Sequence, residues 1–314
     1  MTPSDAEASP ADPLPPTERR SPRSGHLDDL DTLGVLRLLT TENEGAVQAV
    51  TAVLPQLAEM VEASAERMRR GGTVHYYGAG TSGRLGVLDA SELRPTFNLE
   101  PHRVVGHIAG GRKALVEAVE NAEDSVEEGR RAAERLGPDD VAIGLAASGS
   151  TPYVGGALET ARAAGAYTVL VSNNPEAPLA NATDVHLALD TGPEVVTGST
   201  RLKAGTAQKL VLNGFSTALM IALGRTWKNL MVSVVATNAK LRDRTVRILC
   251  EAVGLEEAPA RELLERADGD LKTAIVSSLA DVPVTRASAL LADHAGSVRD
   301  AIADAVRQSA ETSS

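Results

Sequence analysis

Residues 73–92, TVHYYGAGTSGRLGVLDASE, run a short apolar strand through a glycine-rich turn into an amphipathic helix. Thr73 to Tyr77 read as a buried strand. Gly78, Gly80 and Gly83 allow turn conformations and close backbone approach that a Cβ would obstruct. Helical spacing begins near Ser82, with Leu85, Leu88 and Ala90 on it. Unpaired N–H groups and the positive end of the helix dipole therefore face whatever sits over the loop, and Thr81 and Ser82 add hydroxyls. A phosphate suits that place, with Gly80, Thr81, Ser82 and Gly83 as its candidate ligands.

Two familiar nucleotide motifs fit less well. Gly78, Gly80 and Gly83 satisfy the G-x-G-x-x-G spacing, but a dinucleotide site also needs an acidic ribose ligand about 20 residues on. Glu100 stands there, directly before Pro101. The hydroxyl pair inside the loop suits a monophosphate better than a pyrophosphate pressed on bare backbone. No Gly-Lys-Ser or Gly-Lys-Thr closes the loop, so the Walker pattern is absent.

The strand-to-helix rhythm then repeats. Strand candidates are Arg103 to Ile108, Asp140 to Ala146, Tyr167 to Ser172 and Asp184 to Leu189, separated by helical stretches from Ala114 to Leu136 and Tyr153 to Ala164. Thr32 to Arg70, ahead of them, reads as helices, with Val50, Val53, Leu54, Leu57, Met60 and Val61 at helical spacing. The pattern predicts an α/β fold with a doubly wound parallel sheet, whose ligands bind beyond the carboxyl ends of the strands. A second hydroxyl-rich turn stands at such an end: ASGSTPYV places Ser148, Gly149, Ser150 and Thr151 before Pro152, which suits a first helical turn. Any one such turn could be an ordinary helix cap. Two on adjacent strands make a pair of anion cradles.

A net charge of −11 argues against nucleic-acid binding, and the locally basic TERRSPR at residues 17–23 reads as a solvated run. There is no apolar stretch of about 18 residues or more, so no membrane partner is expected. MTPSDAEASPADPLP reads as a disordered tail, not an export signal. One cysteine, Cys250, excludes an internal disulfide and fits a reducing cytoplasm.

The strings YYGAGTSGRLGVLDASE, IAGG, VENAED, ASGSTPYV, TGSTRLKAGTAQKLVLN and NLMVSVVATNAKLRDR together resemble the N-acetylmuramic acid 6-phosphate etherases. These are bacterial sugar-phosphate lyases with a sugar-isomerase (SIS) domain. The resemblance extends from Thr17 to nearly the C-terminus. It implies cleavage of the D-lactyl ether at C3 of N-acetylmuramic acid 6-phosphate to N-acetylglucosamine 6-phosphate and D-lactate, during recycling of cell-wall sugar. It implies no metal and no organic cofactor, and a sugar phosphate as the small-molecule partner.

Elimination of lactate needs a base at C2, acidified once the ring opens to the C1 aldehyde, and an acid for the departing oxygen. Two carboxyl groups in different protonation states can supply both. By the resemblance, the pair lies in the ASE and AED motifs, here Glu92 and Glu123, 31 residues apart. Glu92 is expected to protonate the lactate and Glu123 to take the C2 proton; from spacing alone both would read as surface glutamates. Arg84 could contact phosphate or pair with a carboxylate. His75 and His107 read as strand histidines, and Lys240 as a solvated helical lysine unless it assists ring opening. The chain departs from the family pattern at Ser21, Asn43, Leu93, Arg94, Lys228 and Ser233, none of which removes a carboxylate or a loop hydroxyl.

Near the C-terminus ARELLERADGDLKTAI repeats as ASALLADHAGSVRDAI at an offset of 27, pairing Leu263 with Leu290, Gly269 with Gly296 and Ile275 with Ile302. Each unit reads as helix, Gly turn, helix, giving a small bundle that resembles a ubiquitin-associated module. The expected organisation is a tail over residues 1–16, helices over 17–70, the sugar-phosphate domain over 71–240 and the bundle over 241–310. Two rival readings are a sugar-phosphate-binding regulator similar to the glucokinase regulatory protein, and an aldose-ketose isomerase. One sugar-isomerase domain per chain implies a homodimer. In a continuous helix, Glu92 lies roughly 14 Å beyond the phosphate loop, farther than phosphorus is from C3 of one hexose. Either the helix breaks near Gly86 or Asp89, or Glu92 serves the site of a second copy, which is the expectation preferred.

Overall fold

A computed structural model describes residues 14–234 and 239–312. Residues 1–13 of the expected tail lie outside them. Ahead of the sheet stand α1 (Thr32–Glu42), α2 (Glu44–Ala52) and α3 (Leu54–Arg69). Asp31 starts α1 by accepting the Gly34 N–H at 2.7 Å, and Pro55 occupies the first turn of α3, where a missing N–H costs nothing. Leu57, Met60, Val61, Ala65 and Met68 make the buried stripe of α3, while Leu54 is half exposed.

The alternating part follows as β1 (Val74–Gly78), α4 (Gly80–Phe97), β2 (Val104–Ile108), α5 (Val126–Ala133), β3 (Val141–Leu145), α6 (Pro152–Ala163), β4 (Tyr167–Ser172), β5 (Val185–Ala188) and α7 (Lys203–Ala222). The five strands form one parallel sheet, as expected, and the structure sets their order as β2-β1-β3-β4-β5. Strand periodicity sorts side chains between two layers. Val74 and Tyr76 join Ile143, Leu145, Val169 and Val171 in a core closed by α2, α3, α4 and α7. Tyr77, Ala142 and Leu170 face the other way, onto Tyr153, Val154, Leu158 and Ala133 of α6 and α5. Small residues let α6 lie close: the buried positions of its first half are Tyr153, Val154, Gly155, Gly156 and Ala157.

One expected helix is not formed. Of Ala114 to Leu136 only α5 is α-helical, and ahead of it the chain makes short 3₁₀ turns at Gly111–Leu115 and Ala122–Asp124. Asn121 stands between them at φ 59°, a left-handed conformation that interrupts a helix, and the Ser125 hydroxyl restarts one by accepting the Glu128 N–H at 3.2 Å. Glu123 therefore sits in a turn and not on a helical face. The helix after the glycine loop also begins two residues earlier than its apolar spacing, at Gly80.

Past α7, α8 (Ala239–Val253), α9 (Glu257–Arg266), α10 (Leu271–Leu279), α11 (Val284–Asp293) and α12 (Val298–Thr312) gather around a core of their own, containing Leu249, Leu263, Ala274, Ile275, Ala287, Leu290 and Ala301. The repeat is visible in backbone angles. Asp268 and Gly269, between α9 and α10, have φ of 51° and 75°, and Ala295 and Gly296, between α11 and α12, have 50° and 78°. No single helix among the described residues is long and apolar enough to cross a membrane.

Candidate functional site

The chain leaves β1, goes outward to β2, and returns across β1 to β3. The carboxyl ends of β1 and β3 therefore flank the point where strand order reverses, the place where open α/β sheets of this order bind their ligands. The two hydroxyl-rich turns occupy these two ends. Gly80 opens α4 at φ 50° and Ser82 is buried in its first turn. The turn is tight enough to require its glycines: a Cβ on Gly83 would lie 2.6 Å from the Gly78 carbonyl oxygen. The Gly83 N–H closes on the Ala79 carbonyl at 3.1 Å, and the N–H groups ahead of it have no acceptor within the helix, leaving them to an anion at the helix end.

Across from it, Ser148 Oγ accepts from the Ser150 N–H at 3.3 Å and from Ser150 Oγ at 2.9 Å, so the two hydroxyls are held together. Asn174, at the end of β4, donates to the Ser148 carbonyl at 3.1 Å. Gly149 takes φ 71°, and a Cβ there would fall 2.2 Å from the Ala177 Cβ. Thr151 precedes Pro152 without spending its hydroxyl on the helix end. The sheet thus brings Gly80, Thr81, Ser82 and Gly83 beside Ser148, Ser150 and Thr151.

The N-terminus of α7 closes a third side. A Cβ built on Gly205 lies 3.4 Å from the Thr81 methyl. The buried Glu194 carboxylate caps this helix, accepting the Lys203 N–H at 3.0 Å and the Ala204 N–H at 2.8 Å. Burial pushes the Glu194 carboxyl above its usual range against the pull of those two N–H groups. Asn173, wholly buried, donates to Thr191 and accepts from Gln208. Neither Glu194 nor Asn173 falls in a motif that the sequence singles out.

The two glutamates do not meet the loops in the same way. α4 is unbroken from Gly80 to Phe97, so the expected alternative of a break near Gly86 or Asp89 does not occur. Glu92 then lies about 15 Å along the helix from Ser82. It is exposed, as is Leu88 one turn before it. Asp89 points inward instead, accepting from Tyr76 Oη at 2.9 Å, Ser216 Oγ at 3.0 Å and Asn213 Nδ2 at 3.3 Å. Burial raises its pKa, and those three donors oppose the shift. Glu123 is exposed in the turn between β2 and α5.

Arg84 donates to the backbone carbonyls of Leu115 and Glu117. Glu100 is held by Arg225 at 2.9 and 3.0 Å, so the carboxylate a dinucleotide site would need is already paired. His75 and His107 lie in strands with their rings 5.1 Å apart and near-parallel. The Lys240 side chain lies outside the described residues. Among the described residues no group of three or more His, Cys, Asp or Glu is placed to hold a metal ion. A cavity of about 630 Å³ lies away from the loops, lined by Asn98, Arg225 and Lys272 among others; its Lys272 ammonium is spent on the Gly224 and Gly296 carbonyls.

Two family models match the chain, the glucokinase regulatory protein N-terminal SIS domain over residues 56–162 and the SIS domain over residues 115–218. The N-acetylmuramic acid 6-phosphate etherase of Thermobifida fusca (strain YX) is 54% identical over 264 residues, 84% of this chain and 87% of that protein. That of Klebsiella aerogenes is 50% identical over 290 residues, 92% of this chain and 97% of that one. Among solved structures, a phosphoheptose isomerase from Francisella tularensis aligns with a TM-score of 0.47 at 18% identity, covering 60% of this chain and 98% of that one.

Proposed function

The chain belongs to the N-acetylmuramic acid 6-phosphate etherase family, and on that premise we propose how its residues carry out the reaction. The protein is a carbon–oxygen lyase. It cleaves the D-lactyl ether of N-acetylmuramic acid 6-phosphate to N-acetylglucosamine 6-phosphate and D-lactate, in cell-wall sugar recycling. The observation that carries the arrangement is the pairing of β1 with β3, which sets two hydroxyl-rich turns side by side at the reversal of strand order.

The phosphate sits between these turns, taking hydrogen bonds from the first N–H groups of α4 and from the hydroxyls of Thr81, Ser82, Ser148, Ser150 and Thr151. The opened sugar then presents its C2 proton to Glu123, which takes it as the base. Glu92, carrying a proton, gives it to the lactyl oxygen as the C3–O bond breaks. Water adds to the resulting double bond at C3. For the pair to work together, the base must be ionised and the acid neutral at one pH.

The working unit is a homodimer in the cytoplasm, with Glu92 of one copy serving the loops of the other. Two observations support this reading. Glu92 stands too far along an unbroken helix for its own loop, and α1 presents Leu33, Val35, Leu36, Leu38 and Leu39 with none of them buried. An amphipathic helix left open in this way calls for a covering surface. The match to the regulatory-protein SIS model favours one alternative, binding without turnover. Incubation with N-acetylmuramic acid 6-phosphate and assay of free D-lactate separates the two. Stoichiometric binding with no D-lactate would leave only the binding module.

A further inference from the structure

Arg84 lies on α4 two residues past Ser82, in the helix that starts at the carboxyl end of β1. Its side chain reaches the crossover that follows β2, where Nε donates to the Leu115 carbonyl at 3.2 Å and Nη2 donates to the Glu117 carbonyl at 3.1 Å. A planar guanidinium holding two carbonyls fixes both position and direction, which a single ammonium does not. The segment it grips leads directly to Glu123.

Upstream, the buried Ala114 anchors the 3₁₀ turn and the Val116 and Glu117 N–H groups fold back onto the Lys113 carbonyl, while Arg84 ties the turn's outer end to α4. Val116, between the two gripped carbonyls, is 84% exposed, so burial does not hold it. The downstream half is closed on Gly110: a Cβ there would come 2.9 Å from the Val119 Cβ and 3.2 Å from that of Ala122. Beyond Glu123, Ser125 begins α5. The turn that carries Glu123 is thus pinned at its far side by packing and a helix cap, and its near side, a local turn on Ala114, is tied to α4 by Arg84.

We propose that Arg84 is the positioning residue for Glu123, tying the base to the same helix end that receives the phosphate. This rests on the assignment of Glu123 as the C2 base. About 3 Å of helical rise separates Ser82 from Arg84, so a phosphate seated on the loop and the base-bearing turn are referred to one rigid element. Arg84 then acts on the rate of C2 proton removal and not on phosphate affinity.

The test uses the full chain with Arg84→Met and Arg84→Lys. Loss of the fork is expected to lower kcat for D-lactate release by about 100-fold, the scale of a misplaced catalytic group. The dissociation constant for N-acetylglucosamine 6-phosphate, which has the phosphate but no lactyl group, should stay within about threefold, well under the tenfold change that corresponds to 1.4 kcal/mol. Arg84→Lys, able to hold one carbonyl, should fall between. With C2-deuterated substrate the isotope effect on kcat should rise in both variants as proton removal becomes limiting. Affinity lost in proportion to kcat would make Arg84 a phosphate ligand and overturn the proposal; so would an unchanged kcat. Glu123→Gln that still exchanges the C2 proton at the wild-type rate would instead overturn the assignment of the base.

Discussion

Lys203 Nζ lies 2.8 Å from Oε2 of Glu42, with both side chains nearly removed from solvent at 6% and 3% exposure. The pair joins the first turn of α7 to the last turn of α1. Arg23 approaches the other oxygen of Glu42 at 2.7 Å, and Glu194 caps the backbone of Lys203 itself. Removing one partner of a buried pair leaves the other charged and unpaired, which typically costs about 3–5 kcal/mol. Lys203→Met is therefore expected to lower stability by about 3 kcal/mol in urea titrations, Arg23 keeping the loss at the low end. The double variant Glu42→Leu Lys203→Met should recover most of it. A double variant as unstable as the single one would show that the charges are not what binds the two helices.

The same pair marks where sequence reading ends. Glu42 and Lys203 are 161 residues apart, and neither carries a local signal of the other. The strand-to-helix turns were legible because glycine spacing, hydroxyls and a change of hydrophobic period all act within a few residues. The repeat was legible for the same reason, its two turns sharing a left-handed pair of residues. From Ala114 to Leu136 composition favoured a helix, but a left-handed Asn121 and the closure of Val119 over Gly110 override propensity with tertiary packing. Lys228, one of the positions where the chain departs from the pattern it resembles, takes φ 53°, which a lysine adopts at a cost of roughly 1 kcal/mol.

The loop hydroxyls make a prediction about affinity. Ser82→Ala and Ser148→Ala should each weaken binding of N-acetylglucosamine 6-phosphate by about 1–3 kcal/mol, the worth of a hydrogen bond to a charged group. Ser148→Ala also removes the acceptor that orders Ser150, so its loss should be the larger. Isothermal titration gives both values. Unchanged affinity in both variants would place the phosphate elsewhere.

His75 gives the protein a pH-dependent stability. Thr73 Oγ1 donates to Asp140 at 2.7 Å and therefore accepts from His75 Nε2 at 2.8 Å, which leaves His75 Nδ1 to accept from His107 Nε2 at 2.9 Å. Burial, and then the neighbouring His107, lower the His75 pKa from 6.5 to about 4, against the pull of Asp140. Between those values the unfolded chain binds a proton that the folded one does not, so stability falls as pH drops from about 6.5 to about 4. The ceiling for His75 alone is about 3 kcal/mol. The Asp140 carboxyl is held below its usual range, where hydrogen bonds from Thr73 and Gly137 outweigh burial, so its contribution is lost at lower pH still. Melting temperatures across pH 4–7 should slope downward toward acid in the wild type and less steeply in His75→Gln. Equal slopes would remove His75 from the account.

The placement of Glu92 can be decided by mixing subunits. Glu92→Gln chains keep intact loops, and Ser82→Ala Ser148→Ala chains keep an intact Glu92. If each site takes its loops from one copy and Glu92 from the other, a heterodimer has one site with both parts intact and one with neither. An equal mixture brought to exchange equilibrium is half heterodimer, so about a quarter of wild-type D-lactate release should return, measured well below saturation. If each chain supplies its own Glu92, no combination restores a site and activity stays at the sum of the two inactive preparations. If the site is shared, the side of α4 where Glu92 and Leu88 lie exposed is the surface a second copy would cover. Leu88→Asp should accordingly abolish both dimerisation and turnover while leaving the monomer folded, as read by sedimentation and circular dichroism. A variant that still turns over substrate as a monomer would return Glu92 to its own subunit.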